Sequence, residues 1–219
     1  MSTREEYTPP ASRDGRRRLA EWAAGVAAAL LLAGCQVFPE RPPVAATYDL
    51  GTGERGSLAN ALAPARVTVS APAWLQVTAM HYRDVRGDPG RRRAYADNRW
   101  AAQPPAMLAL VLERRLGAGE GGGCRLQVQL DEFEQLFHAA DRSEARVVAR
   151  FALFPVRGNK PLASAALTVL EAAPTADARG GAAAFRVATD RLADGIAQWL
   201  TDTDRALPGG LAGEGRCRR

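Results

Sequence analysis

The sequence predicts an α+β fold: a mostly antiparallel sheet with two main helices packed on one face, in a single domain. Three observations carry this: three alternating segments in the second half, two stretches with apolar residues at helical spacing, and an Asp-Pro-Gly turn between two extended segments. In chain order, Val67 and Val69 share one face of a short strand that the "APAW" after it breaks. "VTAMHYRDV" and "RRRAYAD" flank "RGDPG" and read as a hairpin, with Arg91, Arg92 and Arg93 on its second arm. From Pro104, prolines suited to a first helical turn precede Met107, Leu108, Val111 and Leu112, and the glycines of "GAGEGGG" end the helix. Leu126, Val128 and Leu130 alternate, and Phe133 breaks the phase through a bulge at the acidic pair. Val147 to Leu153 and Ala163 to Val169 alternate again and complete a three-stranded meander. Phe185, Ala188, Leu192, Ile196 and Trp199 then lie on one face of the most amphipathic helix in the chain, with Gly195 marking either close packing against the sheet or a weak spot.

The N-terminal residues are organised differently. Arg16 to Arg18 precede an uninterrupted apolar stretch, Trp22 to Leu32, that is short of the roughly 20 residues a membrane span needs and has the length of an export signal. It ends in Leu32, Ala33 and Gly34 before Cys35, which resembles the bacterial lipobox: the chain is cut before the cysteine, which carries an S-diacylglycerol and an N-acyl chain. The expected organisation is a lipoprotein signal peptide at 1–34, the lipidated Cys35 and a flexible Pro-rich tether at 35–46, and the domain at 47–219. Gln36 after the cysteine favours sorting to the periplasmic face of the outer membrane over the inner membrane.

The formal net charge is +5, and Lys160 is the single lysine among 29 basic residues. In an exported chain this arginine richness does not point to nucleic acid. Cys124 and Cys217 are able to pair in an oxidising compartment, and their positions neither require nor exclude it.

The residues are expected to compose no catalytic site and no metal site, and to carry no cofactor beyond the covalent lipid. The Gly-rich segment follows a helix and opens a strand, the reverse of a phosphate-cradling loop. His81 and His138, the only histidines, lack metal-ligand or triad spacing and read as half-buried strand-edge residues. Asp131, Glu132 and Glu134 read as a solvated edge rather than an acid–base pair. Arg91, Arg92 and Arg93 either meet lipid phosphates or an acidic partner, or keep a solvated hairpin edge from aggregating. Trp74 and Trp100, both near prolines, either face a partner or pack beneath the loops.

"TYDLG" after the lipobox, then "RVTVSAPAWLQVTAMHYR", "RAYADNRWAAQPPAMLALVLERRL" and "LQVQLDEFEQLF" in that order, resemble the ABC-type transport auxiliary lipoprotein family, the PqiC-like component that accompanies MCE-domain proteins in Gram-negative intermembrane lipid transport. The family's usual Tyr-Leu after the proline is Trp74-Leu75 here. The resemblance implies a non-enzymatic periplasmic lipoprotein that docks to the MCE-domain protein of an ABC-type transporter, with phospholipid as a further candidate partner and a homo-oligomeric ring as the assembly that MCE symmetry favours. The alternative is an outer-membrane lipoprotein assisting another envelope machine, for lipopolysaccharide delivery or cell-wall synthase activation.

Overall fold

The computed structural model describes residues 44–217. The leader, Cys35 and most of the tether lie outside them. In chain order the elements are β1 (Ala46–Tyr48), β2 (Arg66–Ser70), β3 (Ala79–Asp84), β4 (Arg93–Trp100), α1 (Pro104–Arg115), β5 (Arg125–Ala139), β6 (Arg142–Phe154), β7 (Ala163–Ala172) and α2 (Ala178–Ala206). Among the described residues the strands form one sheet in the order β1-β4-β3-β5-β6-β7, with β2 also paired to β5. Both helices lie on one face, as expected of an α+β domain, and among the described residues no helix is long and apolar enough to cross a membrane.

The sheet is mostly antiparallel, as expected, but mixed rather than purely so. The hairpin β3–β4 and the meander β5–β6–β7 are antiparallel, whereas β1 on β4, β2 on β5 and β3 on β5 run parallel. β2 and β3 share one side of β5: β2 pairs with Arg125–Gln129 and β3 with Gln135–Phe137. A 3-10 turn at Ala73–Leu75 lies between them, with Leu75 fully buried. β5 is also longer than its alternation suggests and reaches Ala139, so His138 lies on the strand rather than after it.

The expected bulge sits at Asp131. Leu130 pairs with Ala149 and Glu132 with Val148, so one extra residue enters β5. It turns Phe133 toward the helices, where its ring stacks on Phe185 at 4.1 Å between centroids while Trp100 meets both edge-on at 5.5 and 5.4 Å. Such aromatic pairs contribute about 0.5–1.5 kcal/mol each beyond the area they bury.

α1 begins with two prolines, buries Met107, Leu108, Val111 and Leu112, and places Arg114 and Arg115 in its last turn, where they complement the helix dipole. α2 is capped by Asp177, whose carboxylate accepts the Gly180 amide at 2.7 Å and the Thr175 hydroxyl at 2.9 Å. Beneath this start the buried Gln135 accepts from the Tyr95 hydroxyl and donates to Ser143 Oγ and the Asp177 carbonyl, so that its amide is fully used. Of the two readings of Gly195, close packing holds: a Cβ there would lie 2.6 Å from Leu167 Cδ1. A Cβ on Gly181 would collide with the Gln135 amide itself.

The C-terminal segment returns to the start of β5, where Cys124 and Cys217 form a disulfide with Cα atoms 4.6 Å apart. The Gly123 amide donates to the Cys217 carbonyl and the Val156 amide to the Arg216 carbonyl. The crosslink spans 93 positions, for which the chain-entropy description gives about 4–5 kcal/mol of stabilisation.

Gly181→Ala is expected to destabilise the domain by about 1–3 kcal/mol, because the Gln135 amide is held on every side and has nowhere to go. Gly195→Ala is expected to be near neutral, since the mobile tip of Leu167 can move and alanine gains helix propensity; urea denaturation of the two variants checks the contrast. Cys217→Ser, or reduction of the wild type, should lower the urea midpoint, and the two effects should not add.

Candidate functional site

The face of the sheet away from the helices carries the domain's most concentrated polar cluster, at its centre Glu134. The bulge that sends Phe133 inward sends Glu134 to this other face, where its side chain is only 2% exposed. A carboxylate removed from water without counter-charge costs several kcal/mol. The hairpin supplies two guanidiniums. Arg83 on β3 bonds both Glu134 oxygens at 3.1 Å, and Arg92, just ahead of β4, donates through Nε at 3.2 Å. Arg83 also donates to the Pro89 carbonyl and so holds the turn of its own hairpin.

Arg92 lies 3.4 Å above the Trp74 ring centroid, a cation–π stack, and Trp74 meets His81 edge-on at 5.7 Å. Burial, and then the neighbouring Arg92 charge, hold the His81 pKa below its ordinary value of 6.5, while Glu134 opposes the shift. Elsewhere on this face arginine meets carboxylate: Arg150 binds both oxygens of Asp131 at 2.6 and 2.7 Å and Arg146 lies 2.9 Å from Glu132, while His138 Nε2 lies 2.9 Å from Glu144. The Arg150 guanidinium holds the Asp131 carboxyl below the usual carboxylate range.

The sequence candidates therefore separate. Arg92 and Trp74 are joined in the cluster that fastens the hairpin to β5. Arg91 and Arg93 are exposed, and neither side chain has a partner among the described residues. Of the two readings of Trp100, packing holds: at 3% exposure, between Phe133 and Phe185, it is core and offers no partner a surface. The acidic run is corrected, because these carboxylates lie inside the sheet, each against arginine, rather than on a solvated edge. Sequence reasoning missed the Arg83–Glu134–Arg92 triad. Its one signal was the phase break at Phe133, which obliges the next residue to face the other way.

A shallow depression of about 510 Å³ crosses this open face between Ser70, Gln129, Arg150, Phe154 and Ser164. Among the described residues no three His, Cys, Asp or Glu side chains gather to hold a metal ion. The Gly-rich loop joins the end of α1 to β5, and its amides meet no helix N-terminus.

No family model and no curated protein matches the chain. Solved structures share its fold. A Xanthomonas campestris protein of the family DUF330 superposes with a TM-score of 0.63 at 19% identity, covering 74% of this chain and 97% of its own. An uncharacterized protein superposes with a TM-score of 0.57 at 12% identity, covering 72% and 99%. At these identities the likeness concerns the fold alone.

Two outcomes are expected at the cluster. Glu134→Gln leaves two guanidiniums without their counter-charge and should cost about 2–4 kcal/mol in urea denaturation. His81 binds its proton less readily folded than unfolded, so its contribution is complete above pH 6.5 and is lost as pH falls from there through the folded value. Asp131 and Asp177, with lowered values, give up stability only as pH falls below the ordinary 3.8. His81→Gln should therefore flatten the fall in stability as pH drops below about 6.5, compared with wild type by urea titration at each pH.

Proposed function

We propose that the chain is a lipid-anchored lipoprotein at the periplasmic face of the outer membrane, serving as the non-enzymatic auxiliary component of an MCE/ABC-type intermembrane lipid transport system. The observation that carries the reading is one of order: an apolar leader ends in Leu32-Ala33-Gly34-Cys35, and the segments that resemble the auxiliary family follow in sequence. Those segments fall on the hairpin, α1 and the central strand β5, the parts that organise the domain. The fold held in common with the Xanthomonas DUF330 protein supports it as well.

Acyl chains on Cys35 would hold the domain at a membrane: each buried CH2 contributes about 0.8 kcal/mol, and two or three chains anchor durably where one does not. A domain confined to the membrane reaches a transporter in the same envelope at high effective concentration, so a modest docking surface suffices. The domain offers a protein partner the open sheet face and the outer edge of β7, which among the described residues has no neighbouring strand. A closed ring of copies would match a symmetric MCE assembly. In this reading the domain docks and positions, while the ATPase, permease and MCE tunnel belong to other chains.

Crosslinking in living cells, with mass spectrometry of what copurifies, tests this, with Cys35→Ala as the control that cannot be acylated. An MCE-domain protein should be recovered with the wild type and fall off in the control. Recovery of cell-wall synthases or lipopolysaccharide machinery in its place would overturn the transport reading and favour service to another envelope machine.

A further inference from the structure

Two guanidiniums share the buried Glu134 carboxylate, and they are held unequally. Arg83 bonds it through Nε and Nη2, both at 3.1 Å, and reaches the Pro89 carbonyl with Nη1. Arg92 makes one bond to Glu134, from Nε at 3.2 Å, and otherwise rests on the face of Trp74, 3.4 Å from its ring centroid. The two-point, charge-assisted bond is the stronger of these attachments. Arg92 is also the more exposed, at 29% against 21%. His81 completes the group. It lies on the same face of β3 as Arg83, half-buried, opposite Ala94, and its ring meets the half-buried Trp74 edge-on at 5.7 Å.

The charges around His81 are few. Arg92 opposes its protonation and Glu134 favours it. Along β3, Arg83 is taken up by Glu134. On β4, Arg93 stands opposite Tyr82 and so on the other face, and Arg99 stands opposite Ala79, beyond a shift in register. On β5, Glu132 is matched by Arg146. The turn at Ala73–Leu75 presents Trp74 and no charge. With His81 neutral, two cations share one carboxylate. Once it takes a proton, three do, in a half-buried place where water screens like charges poorly. The one that gives way is the least firmly held, Arg92.

We propose that the Arg92–Trp74 stack is a proton-operated clasp: when His81 gains a proton, Arg92 leaves Glu134 and Trp74 for solvent, and one face of the tryptophan ring opens. The imidazolium then serves as the second counter-charge of Glu134. Arg83 stays, so the hairpin remains fastened to β5 and only the segment before β4 is released. Proton and guanidinium exclude one another, and each weakens the hold of the other by the same factor. Burial and then the Arg92 charge keep the His81 pKa below 6.5, so the clasp is closed at neutral pH and opens as pH falls through the lowered value. The device lies wholly within the domain, between β3, β5, the 3-10 turn and the start of β4, and acts whatever the anchor or partner.

The test is an NMR titration, downward from neutral pH, of the full-length chain in detergent micelles with isotope-labelled arginine and histidine. The chain has two histidines, and His138, which meets Glu144, is the internal control. The Arg92 Nε–H signal, displaced upfield by the Trp74 ring, should lose that displacement with the same midpoint as His81, while the Arg83 signal stays. His81→Gln should keep Arg92 stacked over the same range, and Arg92→Gln should raise the His81 midpoint. An Arg92 signal that stays put while His81 titrates overturns the proposal. So does its loss at the same pH in His81→Gln, its loss together with Arg83, or a His81 that takes no proton before the domain unfolds. An unmoved His81 midpoint in folded Arg92→Gln overturns the mutual exclusion and the clasp with it. Should that variant not fold, the wild-type and His81→Gln titrations decide.

Discussion

One extra residue in β5 decides how the two faces of this domain are furnished. In a strand, every residue added or removed exchanges the faces of all that follow. Up to Leu130 the even positions Leu126, Val128 and Leu130 meet the helices; after Asp131 the odd positions Phe133 and Gln135 do so. Without the bulge, Glu134 would enter the core beside Phe185 and Phe133 would lie in solvent. With it, Phe133 completes the aromatic stack with Phe185 and Trp100, and Gln135 arrives under the start of α2 to bond Tyr95, Ser143 and the Asp177 carbonyl. Asp131 is itself held across the strands by both nitrogens of Arg150.

The arrangement of the hairpin follows from the same residue. Glu134 is buried on the open face and requires positive partners; Arg146, opposite it on β6, is turned to Glu132, and β3 and the segment before β4 supply them. Arg83 and Arg92 converge on it, and Trp74 covers Arg92 from the side of the 3-10 turn. Such a triad does little for net stability against an apolar substitute, yet removing one member leaves a charge stranded. Its effect is positional: it fastens the hairpin to β5 along a pairing only three residues long, Tyr82–Asp84 on Gln135–Phe137. The remaining ion pairs of the open face have another consequence. A sheet covered on one side only must keep its other side wet, and alternating arginine and carboxylate across β5 and β6 does so while leaving the face charged and ordered.

Local patterns exposed what local patterns determine. The meander, the hairpin and both helices were legible because alternation and 3.6-residue spacing are properties of neighbours in sequence. Even the bulge was legible, as a break in phase at Phe133. The three parallel pairings were not, since β1 with β4, β2 with β5 and β3 with β5 join segments whose partners lie tens of residues away and leave no turn between them. Trp74 and Trp100 illustrate the limit at the candidate site. Each is a tryptophan near prolines, but Trp100 ends a strand whose last residues turn inward on Phe133, while Trp74 sits on a turn between two strands and lies under an arginine. Likewise Arg91, Arg92 and Arg93 are one run in sequence. In the fold the middle one is consumed by Glu134 and its neighbours are left to solvent.

The entry and the exit of the domain are held in different ways. The C-terminal segment is held by a covalent bond to the start of β5, at the pole remote from the hairpin turn. The chain enters at the other side through β1, three residues paired with the edge of β4. Any pull from an anchor on Cys35 would therefore act first on β1, which is reinforced just behind. The Ala101 amide donates to the Tyr48 carbonyl at 2.7 Å, Arg186 on α2 donates to the Asp49 carbonyl at 3.0 Å, and Leu50 is buried in the core. These contacts tie the entering chain to β4 and α2 together, so the load passes into the aromatic core rather than peeling a strand from the edge. A short edge strand would otherwise be the weakest place to attach a tether. Here it serves to fix the direction from which the chain arrives.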